Sequence, residues 1–169
     1  MSGGWLADAE ATNRLGEALA LSRPPHAVVH LRGDLGAGKS TLARALLRAL
    51  GVQGAIRSPT YTLVERYPLA DGKEAWHLDL YRIADVGELE FLGLDTDEAV
   101  LWLVEWPERG RGGLPPEDLL IDLKVEGAGR QVQLVPVSPA GAEWLARIDF
   151  PAVFEPVHLG VIPEPSDRK

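Results

Sequence analysis

The stretch of sequence that decides the fold is Gly33-Asp34-Leu35-Gly36-Ala37-Gly38-Lys39-Ser40. It matches the P-loop pattern, in which glycines let backbone N–H groups turn toward phosphate oxygens. In this pattern the lysine brings a positive charge to the β- and γ-phosphates, and the serine hydroxyl supplies a ligand for Mg²⁺. The stretch therefore predicts a binding site for a nucleoside triphosphate.

The segments on either side of this loop support the prediction. Residues 27–31 form a short apolar run typical of a strand, and leucines recur at helical spacing over residues 41–50. Gly51 stands where a helix would end. A strand, a glycine loop and a helix in this order place the phosphates at a helix N-terminus, where free N–H groups favour anions. The alternative is an ordinary glycine turn before a helix, which this context disfavours.

The rest of the chain predicts alternating helices and strands. We expect helices over residues 8–21, 86–92 and 139–148, a strand over 100–104, and hairpins from strands 61–67 with 74–82 and 119–126 with 131–137. This order predicts an α/β P-loop NTPase fold, with a small central, mostly parallel sheet flanked by helices and extended by antiparallel hairpins. We expect one domain over residues 1–148. Four prolines in residues 149–169 predict an extended or disordered tail.

Composition limits the classes of function. The 169 residues include no cysteine, which excludes disulfides and thiolate metal sites. The net charge of −8 disfavours a protein that binds nucleic acid on its own, although residues 1–60 hold seven basic against four acidic residues. No run of 18 apolar residues is present, and Asp8 and Glu10 interrupt any signal peptide. We therefore expect a soluble cytoplasmic protein.

Two acidic residues are candidates for the metal site. Glu105 directly follows the apolar run 100–104, as a metal acid does at the end of a buried strand, and we assign it to Mg²⁺ directly or through water. Asp79 lies in an alternating strand, which is less typical of a central strand, so we assign it to water positioning or an outer-shell metal contact. Alternatively, either acid caps a strand or pairs with Arg82 or Arg109.

Four other side chains have two possible uses each. Thr60, after Ser58 and Pro59, is a candidate sensor of the γ-phosphate, or else part of a polar turn. Trp106 belongs either to the core or to the wall of the nucleotide site. His30 and His77 lie in predicted strands, and we expect both to be packed rather than catalytic.

Several segments together resemble one family. They are residues 33–41, 58–64 (SPTYTLV), 77–82 (HLDLYR), 90–94 and 103–107 (LVEWP). In this order they resemble the bacterial TsaE (YjeE) ATPases, which take part in making N6-threonylcarbamoyladenosine in tRNA. The resemblance covers about residues 8–137 and is far more specific than the P-loop alone.

The resemblance implies a partner-dependent ATPase. Its implied ligands are ATP and Mg²⁺, and its implied partner is the TsaB–TsaD heterodimer, whose complex the ATPase resets between turnovers. The implied contact with tRNA is indirect, through that complex. We expect no membrane association and a free chain that is a monomer or a weak oligomer.

The resemblance and the motifs together give a set of site residues. Lys39, Asp79 and Glu105 are the predicted catalytic residues, and Ser40 and Glu105 are the predicted metal ligands. The predicted nucleotide contacts are Thr12, Gly33, Asp34, Leu35, Gly36, Ala37, Gly38, Lys39, Ser40, Thr41, Thr60, Trp106 and Arg130. In this set Thr12 and Arg130 are carried over as positions that flank the adenine.

Two other functions remain open at the level of sequence. A small-molecule kinase would show a substrate pocket and often an arginine-rich lid, and no such lid segment is evident. A nucleotide-gated adaptor would bind ATP and scarcely hydrolyse it. An arginine supplied by a partner accelerates hydrolysis by about 10³–10⁵ in related chemistry. Within this chain Arg57, Arg66 and Arg82 are candidates for that role.

Overall fold

The computed structural model describes residues 2–94 and 97–154 as a seven-stranded sheet with helices on its faces. The strands are β1 (Ser2–Leu6), β2 (Ala27–Arg32), β3 (Val64–Pro68), β4 (Glu74–Asp79), β5 (Ala99–Glu105), β6 (Leu119–Glu126) and β7 (Gly129–Pro136). The α-helices are α1 (Ala9–Ser22), α2 (Lys39–Ala49), α3 (Pro139–Ala146) and α4 (Phe150–Val153). Two 3₁₀ helices span Val86–Leu92 and Pro107–Gly110.

The sheet confirms the predicted fold class. Its strand order is β1-β7-β6-β2-β5-β4-β3, and the four central strands β6, β2, β5 and β4 run parallel. The hairpins β3–β4 and β6–β7 add antiparallel pairs, as predicted. Because the carboxyl ends of parallel strands meet at one edge of a sheet, the ends of β2, β4 and β5 lie side by side. That edge holds the P-loop.

The two faces of the sheet are packed differently. On the first face, α1 and α2 cover side chains such as Leu31 and Leu103. The two helices approach closely at Gly16, where an added Cβ would lie 2.6 Å from the Cβ of Ala45. On the second face, Trp76 and Trp102 lie 4.9 Å apart between ring centroids, under the 3₁₀ helices and their loops. Side chains that serve the P-loop must therefore come from the first face.

Local signals in the sequence predicted the helix ends well. The carboxylate of Asp8 accepts a hydrogen bond from the N–H of Ala11 at 2.9 Å, so Asp8 is the N-cap of α1 as expected. Gly51 takes a φ of 91° just after α2, a conformation that favours glycine.

Within the described ranges, no helix has the length and apolar character needed to cross a bilayer.

Two terminal segments differ from the sequence prediction. β1, which the sequence did not predict, pairs along its whole length with β7. Residues 150–153, the start of the predicted tail, form α4, whose Val153 is buried in the first-face core. The ring of Phe154 lies against Gly4, and this space exists because Gly4 has no side chain. Residues 155–169 of the predicted tail lie outside the described residues.

The position of β4 also differs from what its alternating pattern suggested. β4 lies inside the sheet, between β5 and β3, and five of its six residues are buried. Leu78 packs in the second-face core, while Asp79 turns to the first face. The pattern alternates because the first face of β4 meets the polar P-loop, and not because it meets solvent.

Candidate functional site

The loop between β2 and α2 has the backbone that the P-loop pattern requires. Gly33 and Gly38 take φ values of 147° and 106°, a region that favours glycine. A Cβ on Gly33 would also lie 2.5 Å from the carbonyl oxygen of Leu123. Among the described residues, no side chain caps the start of α2. The first N–H groups of this helix are therefore available to an anion.

Lys39 lies against the loop that precedes it. Its Nζ donates hydrogen bonds to the carbonyls of Gly33 at 2.5 Å and Asp34 at 2.9 Å. It also stands 4.5 Å from the centroid of the Trp106 ring. Burial lowers the pKa of Lys39, and the nearby carboxylates, first that of Glu105, oppose this effect. The ammonium group has three N–H donors, so one remains for a phosphate oxygen while the two loop carbonyls stay bound.

Glu105 and Ser40 form the polar pair beside the loop. The Ser40 hydroxyl donates to the two carboxylate oxygens of Glu105, at 3.0 Å to Oε1 and 2.9 Å to Oε2. The Glu105 carboxylate is also 2.5 Å from Nε2 of His77. A hydroxyl and a carboxylate at the end of a buried strand are the protein ligands that P-loop enzymes offer to Mg²⁺.

This donor set fits a cation only together with a phosphate. Within the described residues, no group of three or more His, Cys, Asp or Glu side chains could hold a metal ion. Ser40 and Glu105 would therefore supply two ligands, and phosphate oxygens and water would complete the shell. A site of this kind binds a cation mainly when a nucleotide is present.

Asp79 stands next to Glu105. The two residues are paired in the parallel register of β4 and β5, and Asp79 is 8% exposed. One carboxylate oxygen of Asp79 accepts a hydrogen bond from the N–H of Tyr81 at 3.0 Å. Among the described residues, neither acid forms an ion pair with Arg82 or Arg109. Both arginines stack on tyrosine rings instead, so the ion-pair alternative is not supported. The bond from the N–H of Tyr81 shows that Asp79 does cap the end of β4, and its catalytic role stays a prediction.

A pocket of about 370 Å³ joins these groups. Its walls contain most of the predicted site residues: Leu35, Gly36, Gly38, Lys39, Ser40, Thr41, Thr60, Asp79, Glu105, Trp106 and Arg130. Tyr81 and Arg82 line it as well; Arg82 is a candidate internal arginine finger, and Tyr81 is not among the predicted site residues. The structure therefore brings together residues from five separate segments of the chain.

Four predicted contacts lie outside this pocket wall. Thr12 is buried on α1, where its hydroxyl donates to the carbonyl of Asp8 at 3.4 Å. Gly33 and Asp34 face Lys39 through their carbonyls, and Ala37 is 1% exposed. Gly33, Asp34 and Ala37 shape the loop, whereas contact between Thr12 and an adenine stays a prediction.

Arg130 holds the P-loop from the side of β7. Its Nε donates to the carbonyl of Ala37 at 3.0 Å, and its Nη2 donates to the carbonyl of Gly36 at 3.3 Å. These bonds connect positions 93 and 94 residues apart in sequence. Arg130 therefore braces the loop, and a contact with adenine stays a prediction.

Trp106 forms one wall of the pocket. It has a φ of 56°, which is uncommon for a residue other than glycine. Its ring packs on Tyr81 with centroids 4.8 Å apart and faces Lys39 on the other side. Trp106 lines the pocket and also packs against the second-face core, so both uses that the sequence left open apply to it.

His77 is a second residue, besides Tyr81, whose place in the site the sequence did not predict. It is buried, as expected, but it contacts Glu105 rather than apolar neighbours alone. The two-residue alternation of strands already placed His77 on the face of Asp79. His30, the other strand histidine, lies on the second face, where burial lowers its pKa and Glu117 at 3.8 Å opposes this effect.

Comparison with known proteins gives consistent matches. A family model described as threonylcarbamoyl adenosine biosynthesis protein TsaE matches residues 6–132. The tRNA threonylcarbamoyladenosine biosynthesis protein TsaE of Haemophilus influenzae is 48% identical over 112 residues, which is 64% of this chain and 69% of the relative. The protein of the same name from Aquifex aeolicus is 42% identical over 118 residues, which is 69% of this chain and 81% of the relative.

A solved structure is similar over most of the chain. The crystal structure of YdiB from Bacillus subtilis superposes with a TM-score of 0.68 at 25% identity. The match covers 86% of this chain and 91% of that one. Most of this fold therefore has a counterpart in an experimentally determined structure.

Proposed function

This chain belongs to the TsaE family of threonylcarbamoyl adenosine biosynthesis proteins, and from that premise we propose that it is a Mg²⁺-dependent ATPase. Its role in the biosynthesis of threonylcarbamoyladenosine in tRNA follows from the family. The ATPase activity, the cation and the partners are our proposal. The observation that carries it is the Ser40–Glu105 pair beside a P-loop whose lysine faces the same pocket.

In this proposal each residue of the pocket has its own role in ATP hydrolysis. The loop N–H groups and Lys39 would bind and orient the β- and γ-phosphates. Ser40 and Glu105 would hold the cation, which when bound neutralises charge on the phosphates. Asp79, adjacent to Glu105, would accept a hydrogen bond from the attacking water and orient it.

Hydrolysis by the free chain should be slow. Of the three arginines considered as internal fingers, Arg57 and Arg66 do not line the pocket. Arg66 is held by the carbonyls of Leu92 and Gly93 and stacks on Trp76. Arg82 lines the pocket, but its guanidinium lies over the ring of Tyr61, 4.7 Å from the centroid. A partner that redirects Arg82 or supplies its own arginine would raise the rate, by as much as about 10³–10⁵-fold.

We assign that role to the TsaB–TsaD heterodimer. In this proposal ATP binding and hydrolysis reset the complex between turnovers, and tRNA contacts this chain only through the complex. The net charge of −8 agrees with an indirect contact, because binding to nucleic acid depends on basic surfaces that neutralise phosphates.

Phosphate release tests the proposal. We expect slow release from ATP with Mg²⁺ and clear stimulation when TsaB–TsaD is added. The matched control is Lys39→Ala, which should abolish both rates. Formation of a phosphorylated metabolite with no effect of TsaB–TsaD would refute the proposal and favour the small-molecule kinase.

A further inference from the structure

His77 and the two acids of the site share one face of the sheet. The register of β4 and β5 pairs Asp79 with Glu105 and His77 with Leu103. His77 therefore lies two residues before Asp79 on the face that carries α2 and the P-loop. Its side chain is 2% exposed and that of Glu105 is 4% exposed, so water has little access to the contact between them.

The direction of this hydrogen bond follows from its chemistry. An ionised carboxylate only accepts hydrogen bonds, so Nε2 of His77 is the donor in the 2.5 Å contact with Oε2 of Glu105. The opposite ring nitrogen, Nδ1, has no partner within the described residues. The hydrogen bond to Glu105 is therefore the one that the His77 ring makes among the described residues.

The Glu105 carboxylate accepts hydrogen bonds from two side chains, Ser40 and His77. Ser40 donates to both oxygens, but Ser40 is itself a proposed ligand of the cation. His77 is not, so it is the donor that stays dedicated to the carboxylate when a cation is bound. Buried groups that orient a metal ligand typically contribute about 10–100-fold to metal affinity.

We propose that His77 is a positioning residue of the cation site, whose Nε2–H fixes the Glu105 carboxylate beside Ser40 and so sets the affinity for the divalent cation. This inference rests on the proposed function, because it requires Glu105 to be the metal acid. His77 does not contact nucleotide or cation in this scheme, and it acts only through Glu105.

Four variants separate the hydrogen bond from packing. His77→Leu keeps an apolar volume but removes the donor, and His77→Gln keeps a side-chain N–H of similar reach. Glu105→Gln tests the metal acid itself. The matched control is His30→Leu, which removes a buried histidine from the second face of the same sheet.

Calorimetry with a non-hydrolysable ATP analogue measures the effect without catalysis. Titration of Mg²⁺ into the analogue complex should show affinity weakened by about 10–100-fold in His77→Leu. In His77→Gln and His30→Leu the affinity for Mg²⁺ should stay within about threefold of that of the parent chain. This change is smaller than the loss of about 10–100-fold expected when a group that orients a metal ligand is removed. Binding of the analogue in EDTA should be the same in all of these histidine variants.

The outcomes distinguish this inference from the function on which it rests. If Glu105→Gln weakens Mg²⁺ binding and His77→Leu does not, the role of His77 is refuted and the metal acid stands. If Glu105→Gln has no effect, the metal assignment fails, and the inference fails with it. If His77→Gln is as weak as His77→Leu, the ring acts through packing and the inference is overturned.

A second measurement on the parent chain covers the case in which His77→Leu does not fold. Long-range ¹H–¹⁵N spectra of the nucleotide-free protein should show the proton of His77 on Nε2. The Nε2 signal should shift in Glu105→Gln and stay unchanged in His30→Leu. A proton located on Nδ1 alone would overturn the inference.

Discussion

Arg130 offers a sharp test of how the P-loop keeps its shape. The structure shows its guanidinium bonded to the carbonyls of Ala37 and Gly36, whereas the family resemblance assigns Arg130 to the adenine. Replacing Arg130 with alanine removes both hydrogen bonds. If Arg130 is a brace, the variant must then use part of the binding energy of any polyphosphate to order the loop.

The geometry sets the size of the effect. A hydrogen bond from a charged group contributes about 1.5–3 kcal/mol when it is well shielded. The bond to Ala37 is partly buried at 3.0 Å, and the bond to Gly36 is exposed and longer at 3.3 Å, so we count only the first, at the lower value. About 1.5 kcal/mol corresponds to roughly tenfold weaker binding.

The assay compares ligands with and without a base. Calorimetry with ATP, GTP and inorganic triphosphate should give about the same tenfold loss for all three in Arg130→Ala, since a loop brace does not read the base. Arg147→Ala is the control, because Arg147 is an exposed residue directly after α3 that pairs with Glu143. If ATP alone loses affinity and triphosphate binds as before, Arg130 contacts adenine and the brace is refuted.

Three further outcomes test single residues. Lys39→Ala should remove most of the affinity for ATP, because it removes the charge that faces the phosphates, and parent-like ATP binding by calorimetry would contradict this role. Glu105→Ala should lower Mg²⁺-dependent phosphate release more than it lowers ATP binding, and activity equal to the parent at every Mg²⁺ concentration would exclude Glu105 as the metal acid. Burial lowers the pKa of His30 in the folded chain, so the unfolded chain binds more protons and the free energy of unfolding should fall as the pH drops below about 6.5. Urea unfolding between about pH 5 and 7.5 should show a shallower fall for His30→Gln, and identical slopes would refute the effect.

The features that the sequence predicted correctly are those that depend on residue type and on spacing along the chain. The strand, glycine loop and helix around Lys39 follow from residue type and spacing, and the buried run before Glu105 marks a central strand. Both acids emerged as candidates because P-loop enzymes usually hold Mg²⁺ with an acid at the end of a buried strand. These features depend on neighbours in the chain.

The features that the sequence did not predict depend on distant neighbours. β1 contains Gly3 and Gly4, which have low strand propensity, and it forms because its backbone pairs with β7 more than 120 residues away. The contact between His77 and Glu105 requires β4 to lie beside β5, and Arg130 reaches the P-loop from the far end of the chain. The proline content predicted an extended or disordered tail from residue 149, but Val153 is buried in the first-face core.

The carbonyl partners of Lys39 have a consequence for which anions the protein retains. The Lys39 ammonium group has three N–H donors, and the carbonyls of Gly33 and Asp34 accept two of them, so one donor is left for a phosphate oxygen. A triphosphate gains more contacts than a single phosphate ion, because it also reaches the uncapped N–H groups of α2 and the loop. We therefore expect the site to prefer a polyphosphate chain to the monophosphate ion. Inorganic phosphate should accordingly compete poorly with ATP in a displacement titration, and effective competition would show that Lys39 is not engaged in this way.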